Sequence, residues 1–491
     1  MKNKEYTVLA KALNDLVGRY QEKIDMLSHN NIHLIREHPI FLSKYESIFD
    51  DNFLKFTAKC FYRLIYGVFS LIFSLRNSYQ DNKISKSVNK EDKLLFISHF
   101  LNKSILGKDD FYYGKLPDYL EGKNTILYIN HQNKWYKNLN EYWPTSKSNR
   151  VLLSKNTNII NELFLITKIL LGFFRYFLNI FNSKNYINFK INLFLTSTYF
   201  SNSTLFNLRM YYQFSYYLKK ANVNTVIFTF EGHAWEKLLI LASRRAGVKK
   251  VIAYQHANIS KFQNSIFKFQ GIFKTDYVLS SNMHGFEKLS KVYNNVNLVG
   301  SMRVNKKTSL NNFRLFVKNK QFTCLVVPDG ILSECINLFS FTLESARLNK
   351  NINYIWRLHP LITFDMIKKR INFNSLPKNI ILSNNPIEKD IDYSSWVVYR
   401  ASTAVLPAAL SGLRPIFFPQ KDNLQIDPLY FLDKKWKKFC SDAIMLNTII
   451  TKDIECDFKD HLNNKYLEKL NSKFNQSFDL NHFKRILIET N

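Results

Sequence analysis

The strongest constraint on this chain is an alternation of short apolar runs with helical stretches, which occurs in two separate blocks. The β-rich runs of the first block lie within 124–130, 150–155, 224–230, 249–257, 275–282 and 296–301. Those of the second block lie within 322–330, 351–360, 379–385, 394–402 and 413–419. Short strands that alternate with helices are typical of βαβ units, which form parallel sheets. The pattern therefore predicts an α/β protein with two doubly wound domains.

The domain division follows from the two blocks and from the length of 491 residues, which exceeds what one core usually organises. We assign residues 1–115 to a helical N-terminal region and 116–305 to an N-terminal Rossmann-like domain. The polar stretch 306–320 is assigned as a linker, 321–470 as a C-terminal Rossmann-like domain and 471–491 as a helical tail. Two such domains that face a central cleft predict a GT-B-like or periplasmic-binding-protein-like fold, whose ligands bind at the carboxyl ends of strands.

The charge balance favours anionic partners. The chain has 69 Lys and Arg residues and 39 Asp and Glu residues, a net charge of +30. Such an excess favours nucleic acid, anionic lipid or a phosphorylated substrate, although a lysine-rich surface without function explains it equally well. The basic residues are spread along the chain and no nucleic-acid motif occurs, which weighs against nucleic acid. Five scattered cysteines without a CxxC pair argue against a secreted disulfide scaffold and a zinc site.

Two apolar segments bear on membrane association. Leu64–Leu75 is short, and Leu163–Phe181 is interrupted by Lys168 and Arg175, so we expect neither to span a bilayer. For Leu163–Phe181 the favoured interpretation is a buried helix. The alternative is a helix at a membrane interface, with its aromatic side chains in the lipid and its cations on phosphates. The N-terminus is polar and lacks the apolar core of a signal peptide.

Polar residues follow two apolar runs of the first domain. Glu231 comes directly after one run, where a carboxylate could act as a general base on a substrate hydroxyl. The alternative is that Glu231 caps the helix that follows. His256 comes after the next run and is expected close to Glu231. Further candidates for contacting a substrate near these strand ends are His131, His233, Trp235 and Gln255.

In the second domain, Asp329 and Gly330 follow the first apolar run, with Ser333 shortly after. Gly330 permits a tight turn, and the helix N-terminus that follows could bind a phosphate through backbone N–H groups. The segment lacks GxGxxG and GxxxxGK[ST], so neither NAD binding nor ATP hydrolysis is indicated. A turn without function is the alternative.

Two further groups follow later runs of the second domain. Pro360 ends a strand that delivers Arg357 and His359 to the sheet edge, where both could hold a phosphate. Ser402 and Thr403 open the next helix, where Ser402 is a good N-cap and both hydroxyls could reach a phosphate. Capping alone is the alternative for this pair.

Three of these pairs, Asp329-Gly330, His359-Pro360 and Ser402-Thr403, resemble motifs of bacterial GT-B sialyltransferases and Kdo transferases, which use CMP-sugars. In those families the HP and Ser/Thr motifs bind the CMP moiety. The run FEGHAWEKLLILASRRAGVKKVIAYQHA is similar to the central region of bacterial surface-carbohydrate biosynthesis proteins. The resemblance covers roughly residues 220–420. In some sialyltransferases the acidic-Gly motif lies in the N-terminal domain and supplies the base, whereas Asp329 opens the second domain, so Glu231 is the better candidate here.

The resemblance implies a glycosyltransferase that moves an acidic ulosonic sugar (sialic acid, Kdo or a related sugar) from a CMP donor to a surface-polysaccharide or lipopolysaccharide acceptor. Glu231 and His256 would be catalytic. Contacts with the acceptor would come from His131, His233, Trp235 and Gln255. Contacts with the CMP-sugar would come from Asp329, Gly330, Ser333, Arg357, His359, Pro360, Ser402 and Thr403.

No DxD-type acidic pair occurs at a strand end, so we expect neither a metal nor another cofactor. The resemblance further implies a bacterial cytoplasmic protein, peripheral on the inner face of the cell membrane, whose partner is an anionic membrane surface. Two alternatives stay open. The same fold could use a UDP-sugar or CDP-glycerol donor, or the chain could be a non-enzymatic basic binding protein for an anionic polymer.

Overall fold

The architecture is taken from a computed structural model that describes most of the chain. The described residues are 1–34, 39–76, 93–101, 106–120, 124–131, 139–154, 157, 159–303, 322–359, 362–371, 376–419, 424–455 and 464–488. The expected linker at 306–320 and Pro360 lie outside these residues.

The first domain is built on a seven-stranded sheet with the order β3-β2-β1-β4-β5-β6-β7, in which every neighbouring pair is parallel. Its strands are β1 Leu94–Phe100, β2 Asn124–Asn130, β3 Asn149–Leu152, β4 Thr225–Thr229, β5 Lys250–Gln255, β6 Tyr277–Ser280 and β7 Val296–Leu298. The order reverses between β1 and β4, and this reversal is the topological switch point at which such sheets bind ligands.

The second domain repeats the plan with a six-stranded parallel sheet of order β10-β9-β8-β11-β12-β13. Its strands are β8 Thr323–Val327, β9 Asn353–Arg357, β10 Ile380–Ser383, β11 Trp396–Tyr399, β12 Arg414–Phe417 and β13 Lys438–Phe439. Its switch point lies between β8 and β11. The expectation of two Rossmann-like domains in a GT-B-like arrangement is confirmed.

Helices flank both sheets. Those of the first domain are α1 Asn3–Arg19, α2 Ile24–Leu27, α3 Pro39–Asp50, α4 Phe53–Arg76, α5 Ile159–Phe181, α6 Tyr186–Thr198, α7 Asn202–Ala221, α8 Ala234–Arg245 and α9 Met283–Leu289. The later helices are α10 Leu332–Leu348, α11 Phe364–Lys368, α12 Ile387–Asp392, α13 Val405–Leu410, α14 Ala443–Glu455, α15 Asn464–Phe474 and α16 Leu480–Ile488. Because helices cover the sheets, central strands such as β2 and β5 are buried along their whole length.

Strand β1 is a correction to the sequence analysis, which took residues 1–115 as helical. Leu94–Phe100 pairs with β2 on one side and β4 on the other, so the first sheet begins well before residue 116. A strand buried on both faces is a nearly continuous apolar run, and hydrophobic periodicity does not separate such a run from a buried helix.

Helix α5 corrects a second expectation, because it is only partly buried. Seven of its 23 residues, Ile159–Phe181, are buried, and its outward side chains include Leu163, Leu178 and Phe181. The favoured interpretation of this segment as a buried helix is therefore wrong for its outer side. In the described part of the chain α4 and α5 are the two helices long and apolar enough to cross a membrane by length and composition.

The C-terminal tail returns to the first domain. Helix α16 packs against the first sheet, where Lys250 Nζ donates to the carbonyl oxygen of Ile486 at 2.7 Å. Phe483 and Ile486 lie in the same apolar cluster as Ile252 of β5. The two domains are therefore joined by this second crossing of the chain.

Direct contacts also join the domains beside the carboxyl ends of their strands. Asn258, just after β5, donates through Nδ2 to the carbonyl oxygen of Pro428 at 3.2 Å. His284, at the start of α9, lies 2.9 Å from the hydroxyl of Tyr430. Because Pro428 and Tyr430 follow β12, the carboxyl edges of the two sheets meet on this side of the molecule.

Candidate functional site

The candidate site of the first domain centres on Glu231, which follows β4 at the switch point. Its Oε2 lies 3.1 Å from Nε2 of His233, and its Oε1 lies 3.2 Å from Nε2 of His256. The Glu231 side chain is 15% exposed. Both carboxylate oxygens are thus oriented by imidazoles.

A second carboxylate holds the turn that presents Glu231. The backbone N–H groups of Glu231 and Gly232 donate to Oε1 and Oε2 of Glu236 at 2.9 and 2.8 Å. Glu236 is fully buried, and burial raises the pKa of its carboxyl group. Gly232 has φ of +99°, and a Cβ there would lie 2.7 Å from the backbone nitrogen of Ile266, so the turn requires glycine.

This geometry decides between the two interpretations of Glu231. Helix α8 begins at Ala234 with His233 as its N-cap residue, and Glu236 is the acidic residue of its first turn. The helix-capping alternative for Glu231 is therefore wrong, and its carboxylate is directed to the two histidines instead.

His99 forms a second layer beside Glu231 and was missed in the sequence. It lies near the end of β1, where Nδ1 is 2.9 Å from Nε2 of His131 and Nε2 is 3.1 Å from Oγ1 of Thr229. Burial, together with the nearby His131, lowers the pKa of His99 well below its usual value, so its ring is neutral at pH 7. The signal that could have found it was a histidine near the end of an apolar run, which was hidden because β1 was taken as helical.

Tyr112 links the two layers. Its ring centroid lies 4.6 Å from that of His256 and 5.3 Å from that of His99, both in edge-to-face geometry. The loop that carries it is fixed by Asp110, whose Oδ1 accepts the backbone N–H of Tyr112 at 2.8 Å. Nothing in the sequence marks this loop tyrosine, because its neighbours are remote along the chain.

Two of the expected substrate contacts lie inside the core. Trp235 is 4% exposed and packs against Phe228 and His99. Gln255 is 1% exposed, and its Oε1 accepts the hydroxyl of Ser280 at 2.8 Å. Packing therefore fits Trp235 and Gln255 better than contact with a substrate, whereas His131 is exposed and His233 partly exposed.

In the second domain, Gly330 and His359 lie in contact. A Cβ on Gly330 would lie 2.8 Å from Cε1 of the His359 ring. Asp329 fixes the turn, since its Oδ1 accepts the backbone N–H of Ile331 at 2.9 Å. Burial lowers the pKa of His359, and the nearby Asp329 carboxylate opposes that shift. The structure thus brings together Asp329 and Gly330, which follow β8, and His359, which follows β9.

The other side of this switch point carries a buried ion pair. Arg400 Nε lies 2.6 Å from Oε2 of Glu334, which joins the end of β11 to the first turn of α10. Next to it, Ala401 adopts a positive φ of 52°. Left-handed backbone is costly for a residue with a Cβ and is concentrated at functional sites and tight turns.

The turn at Ala401 corrects the role expected for Ser402. Helix α13 begins at Val405 with Ala404 as its N-cap residue, because the turn delays the start of the helix. The N-cap assignment of Ser402 is therefore wrong. Ser402 is buried and Thr403 is exposed beside Ala401.

Two other candidates of the second domain do not join this cluster. Arg357 donates through Nη1 to Asp390 at 2.9 Å and to the carbonyl oxygen of Asn385 at 2.5 Å, on the β10 side of the sheet. Its guanidinium is thus engaged away from His359. Ser333 is exposed on the first turn of α10.

The segment 426–428 connects the two clusters. The carbonyl oxygen of Ile426 accepts the backbone N–H of Ala401 at 3.2 Å, and that of Pro428 accepts Nδ2 of Asn258 at 3.2 Å. Between them, Asp427 accepts the Tyr399 hydroxyl at 2.7 Å, which fixes the segment to β11. The loop after His256 and the turn before Ser402 therefore contact the same three-residue segment.

Comparisons with known proteins give similarity in shape only. No protein-family profile and no curated sequence matches the chain. UDP-GlcNAc 2-epimerase from Neisseria meningitidis bound to UDP-GlcNAc is 10% identical, with a TM-score of 0.46 over 81% of this chain and 98% of that one. MurG of Acinetobacter baumannii is 11% identical, with a TM-score of 0.43 over 80% and 99%. The kitacinnamycin glycotransferase is 7% identical, with a TM-score of 0.45 over 78% and 94%. At this level none of them indicates a substrate for this chain.

Proposed function

We propose that the chain is a glycosyltransferase that moves an acidic ulosonic sugar from a CMP donor to a surface-polysaccharide or lipopolysaccharide acceptor. The observation that carries the proposal is the position of Glu231. Its carboxylate is held by two histidines at the switch point of the first sheet, and the loop after His256 contacts the second domain through Pro428. Transfer between two substrates requires a base in one domain and a nucleotide site in the domain that faces it.

In the proposed reaction Glu231 accepts the proton of an acceptor hydroxyl. The hydroxyl oxygen then forms a bond to the anomeric carbon of the donor, while the bond from that carbon to the CMP phosphate oxygen breaks. His233 and His256 keep the carboxylate oriented through its two oxygens. A positioned general base contributes roughly 10²–10⁴-fold in rate. His131, which lies beside His99, supplies a further polar contact for the acceptor.

The departing CMP is assigned to the second domain. His359 is neutral at pH 7 because burial lowers its pKa, and a neutral imidazole can donate one hydrogen bond to a phosphate oxygen. Ser402 and Thr403 supply hydroxyl groups at the other side of the switch point, and Asp329 and Gly330 form the turn that lies against His359. Ser333, exposed on the first turn of α10, is left out of this set. Arg357 is left out of this set because it is engaged with Asp390.

These contacts hold the phosphate by hydrogen bonds in the proposed site, with no metal assigned, so transfer is expected to be insensitive to a chelator. We place the protein on the cytoplasmic side, peripheral on the inner face of the cell membrane, with a nucleotide sugar and an oligosaccharide or glycolipid acceptor as its substrates. Support for a membrane partner comes from the exposed apolar sides of α4 and α5.

Calorimetric titration with CMP, CDP and UDP tests the donor class. CMP is expected to bind most tightly, and His359→Gln is expected to weaken it because the ring lies against Gly330 in the proposed nucleotide site. His482→Gln, on α16, serves as the matched control. Tightest binding of UDP or CDP would keep the fold and replace the donor by a UDP-sugar or CDP-glycerol. Binding of no nucleotide, together with salt-dependent binding of an anionic polymer, would overturn the enzymatic proposal.

A further inference from the structure

Helices α4 and α5 expose apolar side chains along most of their length. On α4 the outward side chains include Leu54, Tyr62 and Phe73, and on α5 they include Ile160, Phe174 and Phe181. The exposed fractions reach 80% at Leu54 and 73% at Phe181. We call the outward sides of these two helices the paired-helix face. Apolar patches of this extent on a soluble protein mark an interaction surface.

The two helices are packed by glycines onto one pair of residues. A Cβ on Gly67 of α4 would clash with the backbone carbonyl of Phe200, and one on Gly172 of α5 would clash with the hydroxyl of Tyr199. Phe173 also stacks on Phe200, with ring centroids 4.6 Å apart. Because Tyr199 and Phe200 are adjacent, the middles of both helices pack onto the same two-residue segment at the end of α6.

Polar contacts at several positions along α4 and α5 hold both helices to the first domain. Arg209 Nη2 lies 3.3 Å from Ser74 Oγ near the end of α4 and 2.7 Å from Glu162 Oε2 near the start of α5. Arg175 of α5 pairs with the buried Asp25. A helix that crosses a bilayer is surrounded by lipid or by other spanning segments, whereas these helices keep one side in protein core along their length. They are therefore suited to lie in the plane of a membrane surface.

The charges on the two helices indicate which kind of surface they bind. Helix α4 contains no acidic residue, and the one acidic residue of α5, Glu162, is buried against Arg209. Exposed Lys55 and Lys59 near the start of α4 share the buried carboxylate of Asp51, so these three side chains together carry one net positive charge. Lys168 lies on α5 with its Nζ 5.1 Å from the Phe164 ring centroid. An apolar face with cations and without exposed carboxylates is complementary to an anionic bilayer, where aromatic side chains favour the headgroup boundary.

We propose that the paired-helix face inserts into the headgroup boundary of an anionic phospholipid bilayer and holds the protein there without spanning it. Phe206 of α7 lies one turn before Arg209, and its ring centroid is 6.0 Å from that of His131. Arg209, which contacts Ser74 of α4 and Glu162 of α5, is thus one helical turn away from a residue that contacts His131 of the candidate site. The position of these helices beside the candidate site favours an acceptor whose lipid part stays in the bilayer while its head group reaches Glu231. This statement about the acceptor rests on the proposed glycosyl transfer.

Vesicle co-sedimentation tests the proposal with the full chain. The probes are vesicles of phosphatidylcholine alone and vesicles with 30% phosphatidylglycerol, at low and high salt. Wild type is expected to bind the anionic vesicles at least tenfold more tightly than the neutral ones. The triple variant Tyr62→Glu, Phe69→Glu, Phe174→Glu changes exposed side chains only and should bind at least tenfold more weakly. Ile444→Glu, an equally exposed position on α14, should bind like wild type.

Circular dichroism and urea denaturation test whether the triple variant remains folded, and sedimentation velocity without vesicles gives its oligomeric state. Equal binding of wild type and triple variant, or no binding of wild type to anionic vesicles, would overturn the proposal. A wild-type dimer that the triple variant converts to a monomer, without vesicle binding by either, would identify the face as a subunit interface. Because vesicle binding needs neither donor nor acceptor, it can fail or succeed independently of the proposed glycosyl transfer.

Discussion

Glu231 and His256 lie after neighbouring strands, and their side chains meet with 3.2 Å between Oε1 and Nε2. Two residues beyond His256, Asn258 binds the second domain through the Pro428 carbonyl. A change in the separation of the domains would therefore act directly on the loop that orients Glu231.

Glu236 is expected to affect the rate of glycosyl transfer because it holds the turn before α8, although it does not itself contact a substrate. In Glu236→Gln the side chain keeps one acceptor oxygen for the two N–H groups of Glu231 and Gly232. Buried Lys237 also loses its acidic neighbour. We expect kcat to fall about tenfold, CMP affinity to stay unchanged, and the free energy of unfolding to fall by about 1–3 kcal/mol.

Steady-state kinetics with varied donor, together with CMP titration, check this prediction. Glu344→Gln, which changes an exposed glutamate on α10, is the control and should leave both quantities as they are. A normal kcat in Glu236→Gln would show that the turn does not need two acceptors to hold Glu231.

A second prediction follows from the contact between Gly330 and His359. In Gly330→Ala the new Cβ meets the His359 ring at 2.8 Å and must displace it. We expect the Kd for CMP to rise about tenfold, which corresponds to about 1.4 kcal/mol. Gly18→Ala in α1 is the matched control, since a Cβ there has no heavy atom within 4 Å. Calorimetry measures both, and unchanged CMP affinity in Gly330→Ala would remove His359 from the nucleotide site.

Acid sensitivity is expected from buried histidines that stay neutral. Burial lowers the pKa of His29 from 6.5 to about 3. The unfolded chain therefore takes up a proton as the pH falls through 6.5, while the folded chain does not, so folded stability is lost in acid. From pH 7.5 to 5.5 this one histidine costs about 1.4 kcal/mol. Urea denaturation of wild type and His29→Gln at the two pH values checks it: the loss on acidification should shrink by that amount, and an equal loss would contradict it.

Much of the fold could be predicted because parallel strands and helices leave a repeating pattern in the sequence. The same pattern placed Glu231 and His256 together, since residues that follow neighbouring parallel strands share one edge. It also singled out Gly330 and His359, which the structure brings into contact.

The remainder depended on contacts that leave no mark in the local sequence pattern. Burial of β1 on both faces hid His99, and nothing local shows that Glu236 turns back to bind the N–H of Glu231. The guanidinium of Arg357 is engaged by Asp390, 33 residues later. Likewise, α5 packs on Tyr199 through Gly172, and this contact leaves the other side of the helix exposed. The apolar sequence of α5 alone does not show which side packs.

The most direct test of the central claim is the transfer rate of Glu231→Gln measured alongside its affinity for CMP. Glutamine keeps the shape of the side chain and cannot take up the acceptor proton. The account predicts that transfer from a CMP-ulosonic donor falls by about 10²–10⁴-fold while the Kd for CMP stays within about twofold of wild type. Near-normal transfer in this variant would contradict the assignment of Glu231 as the base.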